Sequence, residues 1–120
     1  MSTLKNNFFV SYTTIDSQIN RVFLKQLSCV LSNYGKTFID LIDNDSKNKQ
    51  SRVEYELCNS NAMILILTEN VFKSQWVNKE IRIAKENSIP IYKVEYERIM
   101  MTDFSTLKAT TNNIVPMFKI

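Results

Sequence analysis

A chain of 120 residues with 44% hydrophobic and 22% charged side chains is sized and composed for one folded unit around one core. Its net charge of +3 comes from scattered lysines, no apolar run is long enough to cross a bilayer, and Met1 to Asn7 lack the apolar stretch of a secretion signal. The expectation is a cytoplasmic protein with neither nucleic-acid nor membrane partners. The chain has no histidine and one glycine, which excludes Ser-His-Asp and Cys-His machinery, zinc sites of the Cys-His type, Walker loops and G-x-G-x-x-G turns. No metal site is expected, and chemistry here must run on carboxylates, hydroxyls and a few cations.

In chain order, Phe8-Phe9-Val10-Ser11-Tyr12 is a run of strand formers, and Thr13 to Asp16 supply helix-start residues. Ile19, Val22, Phe23, Leu27, Val30, Leu31 and Tyr34 then recur at the steps that one buried helix face requires. Gly35 stands just past the end of that helix, where a left-handed cap is wanted. Lys36-Thr37-Phe38-Ile39-Asp40 reads as the second strand, and the polar stretch from Asp43 to Gln50 as a loop. Ser51-Arg52-Val53-Glu54 matches a capping box and opens a short helix through about Asn59. Ala62 to Leu67 is continuously apolar, the mark of a strand buried on both faces.

A further helix falls within Val71 to Asn87, and Pro90 starts a strand over Ile91 to Val94. Towards the C-terminus, Thr102 to Ala109 reads as a short helix and Ile114 to Ile120 as an edge strand containing Pro116. Cys29 and Cys58 fall inside predicted helices and read as small buried hydrophobes kept reduced. Strands alternating with helices predict a parallel sheet covered on both faces. Ligands of such sheets bind beyond the carboxyl ends of the strands, here Ser11 and Tyr12, Asp40, and Thr68.

The helix within Val71 to Asn87 is the informative one. The residues one turn from Glu80 on either side are Trp76, Val77, Ile83 and Ala84, and all four are apolar. A glutamate on a solvated face has polar or cationic neighbours at some of those steps. Glu80 therefore belongs at the margin of an apolar surface beside an indole. It is either a functional carboxylate or one that reaches past the rim.

Several segments resemble the TIR domain family. Phe9-Val10-Ser11-Tyr12 is similar to the first box of that family, an apolar strand ending in Ser-Tyr. Phe38-Ile39-Asp40 resembles the second strand, which ends in an aspartate before the BB loop. Ile64-Leu65-Ile66-Leu67-Thr68, followed by Asn70, Ser74, Trp76 and Glu80, resembles the segment from a buried strand to S-x-W-x-x-x-E. Ile89-Pro90-Ile91 resembles the next strand, so the likeness runs from about residue 8 to 94 in order and spacing. Two departures stand out. The stretch from Leu41 to Gln50 has no glycine or proline, and Thr13 follows Tyr12 where related enzymes often carry arginine.

The resemblance implies an α/β, flavodoxin-like TIR fold. It would form a single domain over residues 1–120, with a central parallel sheet of about five strands and helices on both faces. It also implies an NAD+ glycohydrolase or cyclase with NAD+ as substrate and no cofactor. Glu80 matches the catalytic glutamate of NAD-cleaving members. Ser11, Tyr12, Asp40 and Trp76 are the candidate substrate-binding residues. Tyr12 is equally a packing residue, Asp40 a turn aspartate and Trp76 a core indole, and Ser74 reads better as a helix cap than as a substrate contact. The small size resembles the signal-producing partner of Thoeris-type antiphage systems. Members of that type self-associate and make an ADP-ribose derivative that activates a separate effector protein. The alternative is a non-catalytic TIR module that docks on other TIR domains, or an enzyme of related glycosidic chemistry. A phosphorylated receiver domain is excluded, because the positions that would need carboxylates hold Ser11-Tyr12 and Thr68.

Overall fold

The computed structural model describes residues 6–99. Within them β1 (Asn6–Ser11), β2 (Gly35–Phe38), β3 (Ala62–Leu67) and β4 (Ile91–Glu95) form one parallel sheet in the order β2-β1-β3-β4. Helix α1 (Arg21–Leu31) follows β1, α2 (Asp40–Asp43) and α3 (Lys49–Cys58) follow β2, and α4 (Gln75–Glu86) follows a 3-10 turn over Val71–Lys73. Pairing of β1 with both β2 and β3 places the reversal of strand order beside β1. The fold is the expected doubly wound α/β sheet. It has four strands among the described residues, and the helix and edge strand expected over Thr102 to Ala109 and Ile114 to Ile120 lie outside them.

Side-chain alternation along each strand sorts the apolar residues onto two faces. Val10, Ala62, Ile64, Ile66, Tyr92 and Val94 pack with Phe23, Leu24, Leu27 and Leu31 of α1. Phe9, Phe38, Met63, Leu65 and Ile91 pack with Val53 and Leu57 of α3 and with Val77 and Ala84 of α4. β3 is buried along nearly all its length, as its unbroken apolar run requires when helices cover both sides. Phe9 and Phe38 stack with ring centroids 5.7 Å apart, and the Arg52 guanidinium lies 5.3 Å from the Phe38 ring.

Several boundaries differ from the sequence expectation, each for a local reason. Thr13 to Asp16 form a loop, and α1 is capped instead by Asn20, whose side chain accepts from the Phe23 N–H at 3.0 Å. Ile19 sits just before that cap, buried in the same cluster as Leu24, an arrangement that fixes the angle at which the chain meets the helix. Val22, expected on the buried face, is 68% exposed, because the buried stripe runs through Phe23, Leu24, Leu27 and Leu31.

β2 stops at Phe38. The Asp43 carboxylate reaches back to the Ile39 N–H at 2.8 Å, which turns Asp40–Asp43 into one helical turn. α3 starts at Lys49 and not at Ser51. The Asn48 side chain accepts from the Ser51 N–H at 3.1 Å, and Glu54 is occupied by Gln50 and Lys79. Cys29 and Cys58 are exposed, contrary to the expectation of burial.

Gly35 is not a left-handed cap; it opens β2, and α1 ends through Ser32 in right-handed geometry. The left-handed position is Ser88, with φ of 58°, which closes α4. The Ser88 N–H bonds to the Lys85 carbonyl at 3.2 Å and the Ile89 N–H to the Ala84 carbonyl at 2.8 Å, the two bonds of a Schellman ending. Glycine reaches that conformation without the Cβ clash that serine suffers. Ser88→Gly is therefore expected to stabilise the fold by about 0.5–1 kcal/mol in urea unfolding, and an unchanged or lowered midpoint would contradict the assignment.

Candidate active site

The carboxyl end of β1 delivers Ser11, and the chain next forms the loop Tyr12 to Asn20. α4 covers the sheet face that carries Phe9, Met63 and Leu65. Its N-terminus is set by Ser74, whose hydroxyl accepts from the Val77 N–H at 3.2 Å. One turn further on, Glu80 is only 4% exposed, and its Oε1 accepts from Ser11 Oγ at 2.7 Å. The two residues are 69 apart in sequence and meet because β1 and α4 contribute to the same core cluster, Phe9 from one and Val77 and Ala84 from the other.

Burial pushes the Glu80 carboxyl up to about 8. The Ser11 hydroxyl pulls the other way, the Asp40 charge raises it further, and the Trp76 side chain again lowers it.

A cleft of about 260 Å³ opens beside this pair, lined by Val10, Tyr12, Thr13, Thr14, Asp40, Leu41, Ser74, Trp76 and Glu80. Tyr12 is half-buried, and its phenol oxygen accepts from the Leu41 N–H at 2.9 Å, one of the unpaired donors at the start of α2. Burial holds the phenol at about 12; the Leu41 N–H lowers it, and Asp40, Glu80 and Asp43 raise it. Tyr12 therefore stays neutral and ties α2 to the end of β1. Asp40 accepts from Asn44 Nδ2 at 2.6 Å, so it is anchored in its own turn while facing the cleft. Trp76 is 37% exposed and forms a wall of the cleft, so it is not a core indole. Ser74 both caps α4 and lines the cleft.

The structure thus brings Ser11, Tyr12, Asp40, Trp76 and Glu80 to one end of the sheet, beside the reversal of strand order. Thr13, noted in the sequence as a departure from the arginine of related enzymes, is 5% exposed and lines the cleft, and the pairing of Asp16 with Asn70 was not foreseen. Asp16 accepts from the Asn70 N–H at 2.9 Å and from Asn70 Nδ2 at 2.7 Å, which ties the loop after β1 to the loop after β3. Asp16 follows β1 and Asn70 follows β3 in the chain, but nothing in the sequence pairs the two. Among the described residues no group of His, Cys, Asp and Glu side chains is placed to hold a metal ion. A larger groove of about 450 Å³ runs between β2 and α3, but no buried carboxyl lines it, and its Arg52 is already bonded to Glu56 at 2.9 Å.

A doubly wound parallel sheet with a buried Ser-Glu pair at the strand ends defines a class of α/β domains that place a ligand cleft there. The family model of the TIR domain matches residues 8–111, and the chain belongs to that family. No curated relative matches it in sequence. Among solved structures, its fold is similar to the TIR domains of the activated Roq1 resistosome that directly recognizes the pathogen effector XopQ. That similarity has a TM-score of 0.58 at 15% identity and covers 92% of this chain and 74% of that one. No helix among the described residues is long and apolar enough to cross a membrane.

The raised Glu80 value links to stability with a definite sign. A carboxyl whose folded value lies near 8 against 4.5 unfolded favours the folded state while protonated. Its contribution declines as pH rises from about 4.5 to about 8 and levels off above. Glu80→Gln keeps an acceptor for Ser11 and removes the titration. Its stability relative to the parent protein is expected to grow across that window by something on the order of 4 kcal/mol. Urea midpoints at the two ends of the window check this, and a pH-independent difference would contradict it.

Proposed function

We propose that this TIR domain cleaves NAD+ at the bond between nicotinamide and ribose, with Glu80 as the catalytic residue. The observation that carries the reading is the buried Glu80 carboxyl, held by Ser11 at 2.7 Å on the wall of a cleft at the strand ends. The pyridinium of NAD+ leaves as neutral nicotinamide, taking the electron pair of the C1′–N bond, so no general acid is required. Positive charge develops on the ribose, and an ionised carboxylate beside it stabilises that transition state. Water or a hydroxyl of the same molecule then adds to C1′ and releases a proton, giving a linear or cyclic ADP-ribose product. A histidine-free chain can perform every part of this.

The other candidates divide the remaining work. Trp76 offers a flat apolar face at the cleft mouth for the nicotinamide or ribose ring. Tyr12 and Asp40 set the opposite wall, and Asp40 is anchored by Asn44 so that its carboxylate can accept from a ribose hydroxyl. Burial makes protonated Glu80 the resting state near neutral pH. A bound pyridinium favours the ionised form and thereby prepares the group for the reaction. A cleft of about 260 Å³ is small for a dinucleotide, which supports self-association as a way of completing the site. The setting we favour is a bacterial antiphage system of the Thoeris type, in which the ADP-ribose-derived product activates a separate effector, with the domain acting in the cytoplasm.

With nicotinamide release from NAD+ followed across pH, kcat/KM should rise with a midpoint near 8, the value of free Glu80. Ser11→Ala removes the hydroxyl that lowers this value, so the midpoint moves to higher pH and the rate at neutral pH drops about tenfold. A profile that is flat, or that falls with rising pH, would argue against an ionised Glu80 as the reactive form.

A further inference from the structure

Trp76 is the chain's single tryptophan, and it separates two hollows. One is the Glu80 cleft. The other is an open groove of about 450 Å³ on the outer side of α4, lined by Gln75, Trp76, Asn78, Lys79 and Arg82. Lys79 and Arg82 are one turn apart on one helix face, and no carboxylate lines the groove. Lys79 lies 5.3 Å from the Trp76 ring centre and is partly neutralised by Glu54 of α3 at 3.1 Å. Arg82 is exposed, and among the described residues no acidic side chain is paired with it.

We propose that this outer groove is a second subsite, which binds the diphosphate of a dinucleotide whose other end occupies the Glu80 cleft. The inference rests on the reading of that cleft given above. The cleft is smaller than the roughly 300–1,000 Å³ of a typical ligand pocket, so a dinucleotide must extend beyond it. Trp76 lines both hollows, so the outer groove begins where the cleft ends at the indole. On that path lies a pair of cations without a lining carboxylate, and a guanidinium suits a phosphate through two parallel N–H donors. Gln75 adds a neutral polar group at the same rim, as does Asn78, whose amide nitrogen already donates to the Phe72 carbonyl at 2.9 Å. Substrates that end at the ribose would gain nothing from the groove, so it selects for nucleotides over nucleosides.

Calorimetric titration of the intact protein with ADP tests this, because ADP carries the diphosphate and has no bond for the enzyme to break. Arg82→Glu is expected to weaken ADP binding at least about tenfold, with Arg82→Gln intermediate. Lys25→Glu, the same charge change on an exposed position of α1, serves as the control and leaves the affinity within about twofold. Equal weakening by the Arg82 and Lys25 substitutions, or no ADP binding by the parent protein, would overturn the proposal. Neither result depends on turnover. A protein that binds ADP through Arg82 and never releases nicotinamide from NAD+ would refute the enzymatic reading and leave the subsite in place.

Discussion

The hydrogen bond between Ser11 and Glu80 is the contact around which this domain is arranged. A carboxyl group that is 4% exposed carries a desolvation penalty that one hydroxyl only partly offsets. The fold tolerates it because both partners are fixed independently. Ser11 ends a strand paired on both sides, opposite Leu65 in β3. Glu80 rides on a helix anchored by Val77 and Ala84 in the core beneath it. Apolar packing of α4 therefore holds the carboxyl where it would not settle by itself, and the resulting strain appears as a raised proton affinity.

That arrangement depends on where the sheet changes direction. From β1 the chain passes to β2 on one side, and β3 and β4 extend the sheet on the other. The loops at the carboxyl ends diverge there and leave a crevice. Tyr12 and α2 form one bank of it, joined by the bond from the Leu41 N–H to the Tyr12 phenol. Trp76 and Glu80 of α4 form the other. The Asp16–Asn70 clamp holds the loops after β1 and β3 together, so these loops are joined by polar contacts as well as through the core. A single chain leaves the cleft open to solvent at Trp76, a residue that also lines the outer groove.

Much of this was legible in the sequence because it follows from periodicity. The unbroken apolar run from Ala62 to Leu67 could only be a strand covered on both faces, and it is. The apolar neighbours of Glu80 one turn away put it at the margin of an apolar surface, and the structure goes further, burying it together with Val77 and Ala84. The partner of Glu80 was not legible as a partner. Ser11 lies 69 residues away, and only the tertiary fold joins them. Helix ends were read less well, because capping is a competition among neighbours. Asn20 displaced Thr13 to Asp16, Asn48 displaced Ser51, and Ser88 took the left-handed turn that glycine would suit better. Cys29 and Cys58 were placed correctly on helices but on the wrong face: Cys58 is one step from buried Leu57, and Cys29 is two steps from buried Leu27 and Leu31.

The central claim is that one buried carboxyl performs the chemistry of this TIR domain. It is tested most directly by incubating the purified protein with NAD+ and following nicotinamide and every ADP-ribose species by mass spectrometry. The parent protein is compared with Glu80→Gln, an isosteric change at the one position. The account predicts that the parent releases nicotinamide in step with an ADP-ribose product, and that the variant, still folded by circular dichroism, is slower by about a hundredfold or more. A folded variant that matches the parent, or a parent that leaves NAD+ intact at every protein concentration tried, would contradict it.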